Sequence, residues 1–207
     1  MKLTWHGHAC FQIEEDGWSV VCDPYAPGYV PGLLDLSAAA DEVFCSHSHG
    51  DHNYVQGVTL SGNGERRFSV TAVDCWHDDA GGTLRGPNRI HIFDLPSGLR
   101  AVHLGDLGHL LTEEQVSAIG TPDVLMIPVG GFYTIDGKEA REIMDLLHPV
   151  VTIPMHYKTE YNAEWPISGP EVFLEGIPEK DIRRDIEVLR ITERDRECQP
   201  RVALFKA

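Results

Sequence analysis

The sequence predicts an α/β layered fold with mixed sheets. Two observations carry this. Short apolar runs bounded by Gly, Pro and Asp interleave with segments of helical period. Two stretches of the chain also read as the same unit, a hairpin followed by a further strand.

The elements can be justified in order. Residues 9–24 read as strand, turn at Gly17 and strand, closing on Asp23-Pro24. Residues 90–106 repeat the pattern around Pro96-Ser97-Gly98 and close on Gly105-Asp106. Each hairpin precedes a segment with an acidic start and an apolar run, at 43–46 and 124–127, so the chain divides into two similar β-rich halves. Further strands are expected at 69–73, 99–104 and 150–154. Thr112 with Gln115 forms a capping box for a short helix that Gly120 closes. Asp136 caps a helix over 138–147, whose Ala140, Ile143, Met144 and Leu147 recur at helical spacing and which Pro149 stops. A third helix is expected near 170–174, with Pro170 where a first turn tolerates it. The charged stretch 179–187 reads as a solvated face, and the tail as strands at 186–191 and 202–205.

The 207 residues suit one domain spanning 1–207, and 42% apolar with 24% charged residues is ordinary for a globular chain. No apolar run is long enough to span a membrane, so no membrane partner is expected. The first residues lack the apolar stretch of a signal peptide, which makes a cytoplasmic location the expectation. A net charge of -15 argues against a nucleic-acid partner. It leaves room for an anionic small molecule, because bound cations would dominate the local field. The five cysteines include no CxxC and read as buried, reduced thiols.

The histidines carry the chemistry. There are eleven, and His47-Ser48-His49-Gly50-Asp51-His52 packs three into an HxHxDH pattern directly after the apolar run 43–46. In an extended segment His47 and His49 point the same way and can meet one ion. Gly50 permits a sharp turn, after which Asp51 and His52 can face a second. Imidazole and carboxylate are the ligands that zinc and similar cations take. Three other predicted strands deliver a ligand type at the same kind of place: His77 beyond 69–73, Asp106 beyond 99–104 and His156 beyond 150–154. Strand ends are where α/β proteins gather ligands.

With these residues in view, the chain resembles the metallo-β-lactamase superfamily. The motifs Thr4-Trp5-His6-Gly7-His8-Ala9, Cys22-Asp23-Pro24, His103-Leu104-Gly105-Asp106-Leu107-Gly108, Pro128-Val129-Gly130-Gly131 and Ile153-Pro154-Met155-His156-Tyr157 are similar to one branch of it. These are the small stand-alone metal-dependent hydrolases related to the ascorbate-6-phosphate lactonases. The resemblance runs through nearly the whole chain in order and implies a four-layer αββα sandwich. It implies a first metal site of His47, His49 and His77, and a second of Asp51, His52 and His156. Asp106 would bridge them. Cys75 shares a strand face with His77 and is its rival. His8, Asp23 and His109 are expected to support the ligands, with Asp23 hydrogen-bonding a ligand imidazole. His91, His103 and His148 read as structural. Tyr133 and Lys158 are the expected substrate contacts.

The expected cofactor is therefore a pair of divalent metal ions. Zinc suits the all-histidine site, while manganese or iron also fits the site with Asp51 and Asp106. Two such ions would share a water and lower its pKa towards neutrality, so that hydroxide forms at neutral pH and attacks a carbonyl or phosphorus. Asp51 and Asp106 are the carboxylates placed in that chemistry. The expected reaction is hydrolysis of a small lactone, ester, amide or phosphodiester. A nuclease of the same superfamily and a non-catalytic metal binder are the alternatives. Loops 25–40, 79–88 and 159–169 are expected to shape the pocket.

Overall fold

The structure is a computed structural model that describes residues 1–62, 66–198 and 201–206. Fourteen strands lie among the described residues: β1 (Lys2–Gly7), β2 (Cys10–Glu15), β3 (Trp18–Cys22), β4 (Ala38–Ala40), β5 (Glu42–Phe44), β6 (Val58–Leu60), β7 (Ser69–Trp76), β8 (Pro87–Asp94), β9 (Arg100–His103), β10 (Val124–Pro128), β11 (Val151–Met155), β12 (Ile182–Ile186), β13 (Val188–Arg190) and β14 (Val202–Phe205). The α-helices are α1 (Glu113–Ile119), α2 (Gly137–Leu147) and α3 (Glu171–Leu174).

The strands form a five-stranded sheet, β13-β1-β2-β3-β5, and a seven-stranded sheet, β12-β14-β11-β10-β9-β8-β7. Period-two alternation explains how the two pack. Phe11 and Ile13 of β2 and Trp18, Val20 and Cys22 of β3 face inward, against Phe93, Ala101, Val124, Met126, Val151, Ile153 and Met155 of the larger sheet. In β10 the intervening Leu125 and Ile127 point to the opposite face, where α1 and α2 cover them through Ile119, Ala140, Ile143, Met144 and Leu147. Strand β10 is therefore buried at every position and reads as a continuous apolar run. The outer face of the smaller sheet, with Cys10 and Val21, is covered by Tyr25, Val30 and Leu33 of the loop after β3 and by Ala40 and Val58 of the β4-β6 ribbon. In this chain extended coil and a ribbon form that outermost layer.

Local chemistry sets the element ends. Asp16 and Gly17 both have positive φ, as a two-residue type I′ turn between β2 and β3 requires. Both predicted capping boxes form, Thr112 with Gln115 on α1 and Asp136 with Glu139 on α2. The two-half reading corresponds to real topology. Strands β1, β2 and β3 are successively antiparallel and β5 is parallel to β3, while β7, β8, β9 and β10 repeat the arrangement.

The tail departs from expectation. The strand expected at 186–191 is β13, at the edge of the smaller sheet, and an unexpected strand, β12, precedes it at the edge of the larger. Asp185, with φ at 55°, lies within β12, where the β12–β14 register shifts, and the chain passes to β13 at Glu187. Part of the stretch expected to be only a solvated face is thus the edge strand β12, whose Arg183, Arg184 and Asp185 remain exposed. Cys10, Cys22 and Cys75 are buried free thiols and Cys45 is half-buried; the side chain of Cys198 lies outside the described residues. No helix among the described residues is long and apolar enough to cross a membrane.

Candidate metal centre

Six strand ends meet at one edge of the sandwich. His8 follows β1, Asp23 follows β3, the 47–52 segment follows β5, His77 follows β7, Asp106 follows β9 and His156 follows β11. Three of these residues, His8, Asp23 and His156, have φ near 50°, a conformation non-glycine residues seldom adopt. Such strain is held only where surrounding structure enforces it.

Asp106 is the hub. Its Oδ2 lies 3.2 Å from Nε2 of His52, His77 and His156 and 3.9 Å from Nε2 of His47. Gly105 turns the chain into this position with φ at 56°. A Cβ there would lie 2.4 Å from both the Asn88 side-chain oxygen and Cβ of Ser46, so only glycine fits. The Asp106 N–H donates to Asn88 Oδ1 at 3.0 Å, and Asn88 Nδ2 donates to Leu104 O at 2.9 Å.

Around the hub the remaining side chains fall into two groups. His47, His49 and His77 have ligand nitrogens within 4.8 Å of one another, as do the ligand atoms of His8, Asp51, His52 and His156. Several buried atoms here lack a hydrogen-bond partner: Nε2 of His47 and His52, Nδ1 of His77 and His156, both ring nitrogens of His8 and Oδ1 of Asp106. Buried polar atoms are normally satisfied, so this concentration of free lone pairs fits bound cations. Burial pulls the pKa of His47 down to about 3 and that of His8 to about 4, and it lowers that of His49 as well. Neutral imidazole is the ligand form, so these three are ready to coordinate at neutral pH. His52 differs. Burial opposes its protonation, but the carboxylates of Asp106 and Asp23 outweigh burial and raise its pKa well above the usual value.

Asp23 orients two imidazoles. Its Oδ2 accepts from His52 Nδ1 at 2.8 Å and from Ser46 Oγ at 2.6 Å, and its Oδ1 accepts from Ser46 N at 2.7 Å. Since Ser46 Oγ gives its hydrogen to Asp23, it accepts from His47 Nδ1, 2.9 Å away. In the neutral imidazole both His52 and His47 thereby carry the proton on Nδ1, so Nε2 is the nitrogen that each can turn to a cation, in His52 after loss of the proton that Asp106 favours. Burial would raise the Asp23 pKa, but nearby His103 and the bonds from His52 and Ser46 hold it well below the usual carboxylate range.

Comparison with known proteins agrees with this geometry. The profile of the Beta-lactamase superfamily domain matches residues 2–156. A crystal structure from Thermotoga maritima, assigned as a candidate Zn-dependent hydrolase of the metallo-β-lactamase superfamily, is 34% identical with a TM-score of 0.76, covering 99% of this chain and 97% of that one. The chain belongs to the metallo-β-lactamase superfamily. Similar relatives include UPF0173 metal-dependent hydrolases from Carboxydothermus hydrogenoformans and Methanopyrus kandleri. Each is 28% identical, the first over 83% of this chain and 89% of its own length, the second over 91% and 96%.

Within this superfamily fold all seven expected ligands, His47, His49, Asp51, His52, His77, Asp106 and His156, are brought together. Other expectations need correction. His8 is not behind the ligands but among them. Its Nε2 is 3.3 Å from Asp51 Oδ2, and its ring centroid is 4.1 Å from that of His156. Cys75 stays outside both groups, because its side chain points into the helix-covered core, where Sγ donates to Asn88 O at 3.4 Å. His109 touches no ligand side chain; its Nε2 accepts from the Trp76 N–H at 3.2 Å and braces the strand end before His77. Gly50 has no left-handed φ. It lies in the expected sharp turn, which His52 N–H closes on His49 O at 3.0 Å, and the Tyr29 ring packs against its Cα. His103 is structural as expected, donating from Nε2 to Ala9 O at 2.9 Å and accepting from Gly105 N–H at 3.1 Å.

The centre forms the floor of a cavity of about 550 Å³, lined also by Tyr29, Arg85, Tyr133 and Trp165. Tyr133 is placed as expected. Lys158 does not line this cavity, because the chain leaves His156 to pair Lys158 N with Ser168 O at 2.9 Å. Arg85, Ser46 and Asp78 were not singled out from the sequence. Asp78 follows His77 and gathers the backbone N–H groups of Ala80, Gly82, Leu84 and Arg85 at 2.7–3.0 Å. An Asp at a strand end with Gly-Gly shortly after it was the available signal for this turn.

Proposed function

We propose that this chain is a dinuclear metal-dependent hydrolase of a small molecule. The observation that supports it most is one carboxylate oxygen, Asp106 Oδ2, at 3.2 Å from three imidazoles delivered by three different strand ends. His47, His49 and His77 would hold one ion; Asp51, His52 and His156, joined by His8, would hold the other; Asp106 lies between the groups. Zinc suits three neutral imidazoles, and the carboxylate-bearing site also suits manganese or iron. Bound there, divalent ions supply Lewis-acid polarisation of a substrate oxygen and lower the pKa of a water molecule.

The protein's own share is positional. Asp23 and Ser46 fix the tautomers and ring planes of His52 and His47. Asp106, fastened through Asn88, keeps its carboxylate between the two groups. Tyr29, Tyr133 and Trp165 wall the cavity, limiting water and giving a substrate apolar surface. A cavity of about 550 Å³ suits a small molecule. The net charge of -15 makes a nucleic-acid substrate the weaker reading. Protein purified without chelator and supplemented with zinc or manganese should hold about two ions per chain. It should turn over at least one member of a panel of lactones, esters, amides and phosphodiesters. Metal content near zero after supplementation, or full loading without any turnover, would contradict the proposal.

A further inference from the structure

The wall of the metal cavity contains one side chain whose chemistry the hydrolase reading does not use. Arg85 is half-buried in the loop between β7 and β8 and lines the same cavity as the candidate ligands. Among the described residues its guanidinium has no carboxylate partner, in a chain with nearly twice as many acidic as basic residues. One amine, Nη2, donates to Phe132 O at 2.8 Å, and the guanidinium carbon sits 5.8 Å from the centroid of the Tyr133 ring. The hydrogen bond and the ring hold the group in place while leaving its other donors free. The loop is equally fixed. The buried carboxylate of Asp78 collects four of its N–H groups, Arg85 N among them, and Asp78 is bonded directly to His77. A cation is therefore held at a set position relative to the centre. The only carboxylates among the described residues lining the same cavity, Asp51 and Asp106, belong to the metal centre itself.

We infer that Arg85 is an oxyanion subsite, and that the substrate carries a carboxylate or phosphate in addition to the bond that is cleaved, on a body flat or apolar enough to lie among Tyr29, Tyr133 and Trp165. The inference rests on the hydrolase reading for the position of the scissile bond. A planar guanidinium with free donors pairs with carboxylate or phosphate through two parallel hydrogen bonds, a geometry that a lysine does not reproduce. An unpaired arginine beside the mouth of a pocket would otherwise find a carboxylate easily on so acidic a surface.

Binding, which does not depend on turnover, tests this. Affinities of benzoate, isophthalate, terephthalate and 4-phosphonobenzoate are measured by calorimetry on zinc-loaded protein and on R85Q and R85K, with metal content and melting temperature checked for each. One oxyanion of a dianionic probe can engage the centre and the other Arg85. At least one dianion should bind about tenfold or more tightly than benzoate. R85Q should erase that advantage while leaving the benzoate affinity unchanged, and R85K should restore only part of it. Preference for terephthalate or for 4-phosphonobenzoate tells carboxylate from phosphate. An advantage that survives R85Q, or no advantage for any dianion, overturns the subsite. The two readings fail separately. If the chain takes up no metal, the hydrolase reading falls, and the subsite is then read from whether R85Q weakens benzoate itself: weakening supports it and an unchanged affinity overturns it.

Discussion

The two halves of the molecule place the same residue types at the same points and use them differently. In the first half His8 comes after the first strand and Asp23 after the third; in the second half His77 and Asp106 come after the corresponding strands. Yet Asp106 turns its carboxylate to three imidazole Nε2 atoms, whereas Asp23 sits behind the site and takes His52 through Nδ1. The cause lies in the chain beside each aspartate. Beyond β5 the segment from Ser46 to His52 crowds Asp23 and saturates its oxygens. Beyond β9 the turn at Gly105 swings Asp106 past Asn88 and into the gap. The groups differ in access too. His49 is exposed and His47 half-buried beside a buried His77, while Asp51 is half-buried beside buried His8, His52 and His156. The repeated scaffold thus yields an all-histidine group, open at His49, and a more closed group containing the carboxylate of Asp51.

Four substitutions probe this asymmetry, from the largest effect to the smallest. Asp106→Ala removes the oxygen shared by both groups. Elemental analysis should find near zero ions and no turnover, with the far-ultraviolet circular dichroism retained. If Asp106 were only a turn residue like any other, both ions would remain. His77→Ala leaves His47 and His49 as the only imidazoles of the open group. It should yield about one ion per chain, since zinc sites rely on three or four protein ligands. Retention of both ions would show that another side chain completes that group.

Asp23→Asn keeps size but removes the charge that His52 and Ser46 address. Loss of such an outer partner costs about 10–100-fold in metal affinity. Competition with a chromophoric chelator should show the larger loss at the closed group, which Asp23 contacts directly, and a smaller one at the open group, reached through Ser46. Equal losses would contradict the relay. His8→Gln tests whether the first-half histidine mirrors His77. Because Asp51, His52 and His156 remain, the second ion should be weakened yet still bound, and the d–d spectrum of the cobalt-substituted protein should shift. An unchanged spectrum and affinity would mean that His8 serves Asp51 only as a neighbour.

Legibility in the residues depended on how local each signal is. HxHxDH, Gly105-Asp106 and Met155-His156 are local: a strand, a turn and a ligand-type residue within a few positions, so spacing alone points to them. The same holds for Asp16-Gly17 and the caps of α1 and α2. Lys158 is not among the residues lining the cavity, and the pairing of its backbone with Ser168, ten residues on, has no local signal. Arg85 and Ser46 were missed because their partners, the cavity and Asp23, exist only once distant strands meet. Gly50 sits in the turn expected of it, closed by His52 N–H to His49 O, while its contact with the Tyr29 ring, more than twenty residues earlier, is tertiary and has no local signal. Strand β12 is likewise tertiary, since its charged residues Arg183, Arg184 and Asp185 carry no strand signal and its pairing with β14 forms only when the two segments meet.

The central claim is that two ions flank Asp106. Crystals of zinc-loaded protein, with anomalous data collected on either side of the zinc absorption edge, measure it directly. The account predicts two zinc peaks about 3.5–4 Å apart with Asp106 between them. One should lie about 2.0–2.1 Å from nitrogens of His47, His49 and His77, and the other at like distance from His52 and His156. A single peak, or peaks that leave Asp106 uncoordinated, would contradict it.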